Sequence, residues 1–97
     1  MARYILLMNL TGKALKDIKN APKRIEESAG ALDEAGERLV DFYTVMGPYD
    51  YIAIVEGPSD EFTLAQPIAL GMAGYVRTTT LAAFTKEEYT AILSKLA

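Results

Sequence analysis

Asp41 and Tyr43 stand two residues apart in Leu-Val-Asp-Phe-Tyr-Thr, and Arg77 and Thr79 stand two apart in Val-Arg-Thr-Thr-Thr-Leu. That spacing puts both members of each pair on one side of a strand. If the two sides coincide, one surface carries an acid, a phenol, a guanidinium and a hydroxyl. Tyr43 could then handle a proton while Arg77 holds a developing oxyanion. The same groups have an architectural use, an Arg77–Asp41 ion pair that fixes the register of two copies. A further set is Tyr49-Asp50-Tyr51, directly after Gly47-Pro48. Asp50 there is either an acid at a pocket rim or the acceptor of a nearby backbone N–H in an Asx-type turn. Tyr43, Tyr49, Asp50, Arg77 and Thr79 are therefore the candidate ligand-binding residues. Lys23 and Arg24, just behind Pro22 at a helix start, form a secondary candidate for an anion.

The composition narrows the chemistry. The chain has no histidine and no cysteine, which removes the commonest general base and metal ligand, thiolate nucleophiles, disulfides and zinc or iron–sulfur sites. Asp33, Glu34 and Glu37 read as a solvated acidic helix end without a metal-binding pattern. No cofactor is called for, and no glycine-rich phosphate loop is present, because Gly71-Met-Ala-Gly74 lacks both the spacing and the lysine. The net charge of −3 argues against a nucleic-acid partner. Lys13, Lys16, Lys19, Lys23 and Arg24 cluster, but Asp17, Glu26 and Glu27 offset them as on a solvated helix face. The opening MARYILLMNL is too short for a membrane span and has no basic lead, so it reads as a buried strand in a cytoplasmic protein with no membrane partner.

With 97 residues, 51% of them hydrophobic and 24% charged, the chain is read as one globular domain over 1–97. Residues 3–10 form a central strand, and Thr11 caps a helix. Pro22 splits the following apolar stripe into helical pieces over 12–20 and 22–35, and Gly36 ends the second. Residues 37–46 and 50–56 form a hairpin around Gly47-Pro48. Ser59 or Asp60 caps the next helix. Its core face is read as Phe62, Ala65, Ala69 and Met72, with Leu64 and Ile68 alongside; Pro67 should bend or fray it, and it ends by Gly71–Gly74. Residues 75–84 form the fourth strand, and Thr85 caps a last helix. The order is that of an α+β, ferredoxin-like βαββαβ sandwich with a four-stranded antiparallel sheet, plus a C-terminal helix.

Such a sheet has helices on one face only. Yet the first strand is apolar on both faces, Tyr4, Leu6, Met8 and Leu10 against Ile5 and Leu7, and the third opposes Ile52 and Ile54 to Ala53 and Val55. Two apolar faces need two covers. The second cover is expected to be another copy of the chain, sheet facing sheet.

The segments LTGKALKDIKNAPKRIEES, LVDFYTVMGPYDYIAIVEGPSD and GYVRTTTLAAFTKEEY resemble the GYD domain family of small bacterial and archaeal proteins. The most specific part is Tyr43, Gly47, Tyr49 and Asp50, in the form Gly-x-Tyr-Asp. The resemblance implies a ferredoxin-like fold of the dimeric α/β-barrel group, a homodimer or higher oligomer, and no defined activity. Thr79 stands where an acid would be expected, which removes a partner for Arg77. Three functions stay open: a cytoplasmic homo-oligomer that binds a small organic molecule or assembles structurally; a cofactor-free enzyme on a small apolar or aromatic substrate, with Tyr43 or Asp50 handling the proton; and a ligand-sensing regulator.

Overall fold

A computed structural model describes residues 2–96. Strand β1 (Ala2–Leu10) leads to a short helix α1 (Gly12–Lys16), a 3-10 turn (Ile18–Asn20) and helix α2 (Ala21–Glu34). Strands β2 (Arg38–Thr44) and β3 (Tyr51–Gly57) follow, then helix α3 (Asp60–Ala73), strand β4 (Val76–Ala83) and helix α4 (Lys86–Leu93). The sheet has the order β2-β3-β1-β4 with every neighbouring pair antiparallel. This is the expected ferredoxin-like arrangement.

Local chemistry sets most of the boundaries. Thr11 accepts the N–H of Ala14 and donates to the carbonyl of Gly74, so one hydroxyl caps α1 and ties it to the end of α3. Pro22 sits in the first turn of α2, where its missing N–H costs nothing. Gly36, with φ +80°, closes α2: the N–H groups of Gly36 and Glu37 bond back to Asp33 and Leu32 in a Schellman motif. Ser59 caps α3, and Thr85 with Glu88 forms a reciprocal capping box on α4. Pro67 neither ends nor frays α3, which continues to Ala73.

The core lies between the sheet and the helices α2 and α3. Tyr4, Leu6 and Met8 of β1, Tyr51, Ala53 and Val55 of β3, and Val76 of β4 form its buried centre, with Ile25, Leu32, Leu39, Phe42 and Leu70 packed against it. Each large apolar side chain fully buried there contributes about 1.5–3 kcal/mol relative to exposure. Val40 is the extra residue of a bulge: Leu39 pairs with Val55, and the next pair is Asp41 with Ile54. Without it, Leu39 and Asp41 would share a face; with it, Leu39 turns to the core and Asp41 to the other side.

The inward face of α3 differs from the expectation. Phe62, Ala65, Ala69 and Met72 are exposed, as are Leu64 and Ile68. Thr63, Gln66, Pro67 and Leu70 are the residues turned inward. The reason is the close approach of Thr63 to β3. A Cβ on Gly57 would collide with Thr63 Oγ1, so Gly57 lets α3 settle on the sheet by its Thr63 side.

Gly57→Ala should therefore destabilise the fold by about 1–3 kcal/mol through overpacking. Adding Thr63→Ala should recover part of that loss. Urea denaturation of the two single variants and the double variant measures the coupling; additive effects would contradict the contact.

Candidate functional site

The sheet face away from the helices forms the candidate site. Its floor is built in rows fixed by the strand register. Tyr43, Ile52, Leu7 and Thr79 make one row; Asp41, Ile54, Ile5 and Leu81 make the next; Arg38, Glu56, Arg3 and Ala83 make the third. The centre is apolar (Ile5, Leu7, Ile52, Ile54 and Leu81) and the border is polar. Both carboxylate oxygens of Glu56 are engaged, one by Arg38 at 2.6 Å and the other by Arg3 at 3.4 Å. The bond from Arg38 is the chief cause that holds the Glu56 carboxyl below its usual range, with Arg3 adding to it.

Asp41 and Tyr43 do share this face with Arg77 and Thr79, but on opposite edges of the sheet. β2 and β4 are separated by β3 and β1, about 14 Å at ordinary strand spacing. The four groups do not meet within one chain. Tyr43 instead donates to Asp41 at 2.9 Å, and the accepting carboxylate raises the phenol above its ordinary value of 10.0. Tyr43 is thereby held protonated and is a poor base. Arg77 is exposed and pairs in register with Asn9, and Thr79 is exposed opposite Leu7.

The Tyr-Asp-Tyr triplet is divided by the fold. Tyr51 points under the helices with its ring 5.1 Å from that of Phe42. Tyr49 is half-buried in the connection between β2 and β3. Asp50 accepts the backbone N–H of Leu10 at 2.9 Å, its own N–H donates to Met8, and its carbonyl accepts from Val45. The carboxylate thus extends the β1–β3 ladder by one rung, while the Asp50 backbone carbonyl anchors the hairpin. Its donor is a distant strand, not the adjacent turn. Gly47, at φ +114°, supplies the left-handed bend that brings the chain round.

The secondary anion candidates separate as well. Lys23 is exposed. Arg24 donates to the carbonyl and carboxylate of Asp17 and stacks over Tyr75, 4.3 Å from the ring centroid. It is one wall of a cleft of about 390 Å³ between α2 and α3, floored by Leu6, Met8, Ala53 and Val55.

Glu37 departs furthest from its expected surface position. It is only 4% exposed, and neither of its carboxylate oxygens has a hydrogen-bond partner among the described residues. Burial pushes its carboxyl up, with the nearby Thr63 hydroxyl opposing this in part. The Schellman turn at Gly36 directs this residue inward, a signal that an acidic composition alone conceals. Among the described residues, no group of acids capable of holding a metal ion is found, and no helix is long and apolar enough to cross a membrane.

A ferredoxin-like sheet with an uncovered, apolar-centred face and a ladder-extending Gly-x-Tyr-Asp segment defines the class. Residues 4–93 match the model of the GYD domain, and the chain belongs to that family. It is 36% identical over 85 residues to a glutamine synthetase and cystathionine beta-lyase binding protein of Thermus thermophilus, covering 86% of this chain and 88% of that one. It is also similar to the crystal structure of TTHA0845 from Thermus thermophilus. The TM-score is 0.52 and the identity 27%, over 88% of this chain and 95% of the other.

Two variants test the roles of the acids. Asp50→Ala should cost about 1–3 kcal/mol of stability by leaving the Leu10 N–H without its charged acceptor, whereas Asp50→Asn should cost less; unchanged urea midpoints would mark Asp50 as free for a ligand. For Glu37 the folded-state value lies above the ordinary 4.5, so the native state holds the proton longer than the unfolded chain. Its ionisation therefore removes stability as pH rises from about the ordinary carboxylate value through the folded one. Glu37→Gln should gain on wild type across that rise and stay ahead at neutral pH. A stability difference independent of pH would refute this.

Proposed function

We propose that this chain is a protein-binding module that pairs with itself through the open sheet face and docks on a metabolic enzyme. The observation that carries this reading is the apolar centre formed by Ile5, Leu7, Ile52, Ile54 and Leu81, bordered by the Arg38–Glu56–Arg3 ion pairs. An apolar centre inside a charged border is the anatomy of an interface rather than of a reaction centre. Across a two-fold axis an edge Arg77 can meet a partner's acid, a contact it does not make among the described residues of its own chain. The relative named for binding glutamine synthetase and cystathionine beta-lyase supports an enzyme as the partner, and that relative is matched over most of both chains. A cytoplasmic setting belongs to this reading. The enzyme alternative is weaker because its proton handlers are occupied: Tyr43 by Asp41, and Asp50 by the Leu10 N–H.

A second reading has its own support. The cleft between α2 and α3 is of a size used for small organic ligands, and its lining is mainly apolar. A ligand there would make the module a sensor.

Native mass spectrometry separates these readings. Wild-type protein should fly as a multimer, and Ile54→Asp, which puts an unpaired charge into the centre of the face, should be monomeric. The wild type should form a complex with glutamine synthetase or cystathionine beta-lyase of its host, and Ile54→Asp should lose it. A wild-type monomer at micromolar concentration would sink the self-association, and a wild type that leaves both enzymes unbound would sink the partner assignment. A stoichiometric added mass of a few hundred daltons would favour the ligand reading.

A further inference from the structure

Two helices carry apolar stripes that their own chain leaves uncovered. On α3, Leu64, Ile68 and Met72 recur every four residues on the outer side, with Ile68 55% and Met72 84% exposed. No charged residue occurs between Glu61 and Arg77, so this helix lacks the polar outer face of an ordinary surface helix. On α4, Tyr89, Ile92 and Leu93 fall at i, i+3 and i+4, and Leu96 follows in the turn beyond the helix, all of them exposed. Every residue from Lys86 to Leu96 is exposed, so α4 lies off the body of the domain. A helix of eight residues does not hold its shape in water on propensity and a capping box alone. It requires a surface.

Leu64 to Met72 spans about 12 Å of helix, and Tyr89 to Leu93 about 6 Å, with Leu96 just beyond it. Their end charges match in one orientation only. The N-terminal end of α3 carries Glu61, and its C-terminal end carries Lys13, whose Nζ donates to the Ala73 carbonyl. The N-terminal end of α4 carries Glu87 and Glu88, and Lys95 follows its last turn. Antiparallel packing brings Lys95 to Glu61 and the two glutamates to Lys13; parallel packing sets acid against acid. Within one chain, α3 runs antiparallel to β4. An α4 folded back along β4 through the two-residue link Phe84-Thr85 would therefore lie parallel to α3, the repulsive orientation.

We propose that α4 of one copy docks antiparallel on the outer face of α3 of a second copy. The contact goes beyond the sheet pairing, since its α3 half lies in the helix layer and not on the open face. It joins copies into an assembly larger than the sheet-paired dimer.

The absence of cysteine makes the test direct. Ile68→Cys and Ile92→Cys are both surface replacements that leave the core intact. One is prepared with heavy nitrogen, the two are mixed in equal amounts and gently oxidised, and the linked peptides are read by mass spectrometry. The expected result is a 68–92 link between a labelled and an unlabelled chain, in clear excess over 68–68 and 92–92 links. Lys95→Glu should lower its yield about two- to five-fold, and Glu61→Lys in the same protein should restore it. A statistical mixture of the three links, a link within one chain when both cysteines share it, or a yield indifferent to Lys95→Glu overturns the proposal. The Ile54→Asp variant, carried through the same experiment, keeps the 68–92 link even where sheet pairing is lost.

Discussion

Strand β1 is paired on both edges and apolar on both faces, and the rest of the fold answers to it. β3 and β4 satisfy its backbone on either side. α2 and α3 take Tyr4, Leu6 and Met8 out of water. Nothing among the described residues does this for Ile5 and Leu7. A central strand cannot slip by one residue to hide them, because that would expose the other set. The uncovered face is thus a fixed consequence of strand composition. It is held in shape by the same ladder that stabilises the domain.

The element order, the sheet type and the two-faced character of β1 and β3 could be read from alternation, capping residues and Gly-Pro breaks. Most of the positions that could not be read depend on a contact between elements distant in sequence; Glu37 alone follows from a local turn. The bulge at Val40 decides that Leu39 goes inward and Asp41 outward, and no local propensity marks it. The inward face of α3 follows from the fit of Thr63 to Gly57, which overrides the larger apolar residues on its other side. Glu37 looks like one more acid at a helix end until Gly36 turns it under the sheet. Arg77 and Asp41 have the right spacing to share a face, and they do, but strand order places them on opposite edges.

Two of these departures meet in one region. Glu37, Gly57 and Thr63 lie together, with Thr63 Oγ1 and Glu37 Oε1 both bordering the space that a Gly57 side chain would fill. Tyr4 donates to Asp60 beside them, and that acid raises the Tyr4 phenol above its ordinary value. A buried carboxyl group and a buried hydroxyl that find no hydrogen-bond partner among the described residues, with a glycine that permits their approach, are costly features to hold in a small core. They fix how closely α3 sits on β3. By fixing that, they also decide which side of α3 is presented outward.

The Gly-x-Tyr-Asp segment acquires a physical meaning from the same logic. Gly47 makes the bend, Asp50 reaches across to the end of β1, and the register of β1 against β3 is pinned at the point where the ladder would otherwise fray. Pinning that register pins the rows Tyr43–Ile52–Leu7 and Asp41–Ile54–Ile5 on the open face. A one-rung error at Asp50 would carry core residues to the surface along the whole strand. The segment therefore acts on the open face from a distance. It needs no chemistry of its own to do so, because the geometry of the face is set wherever the register is set.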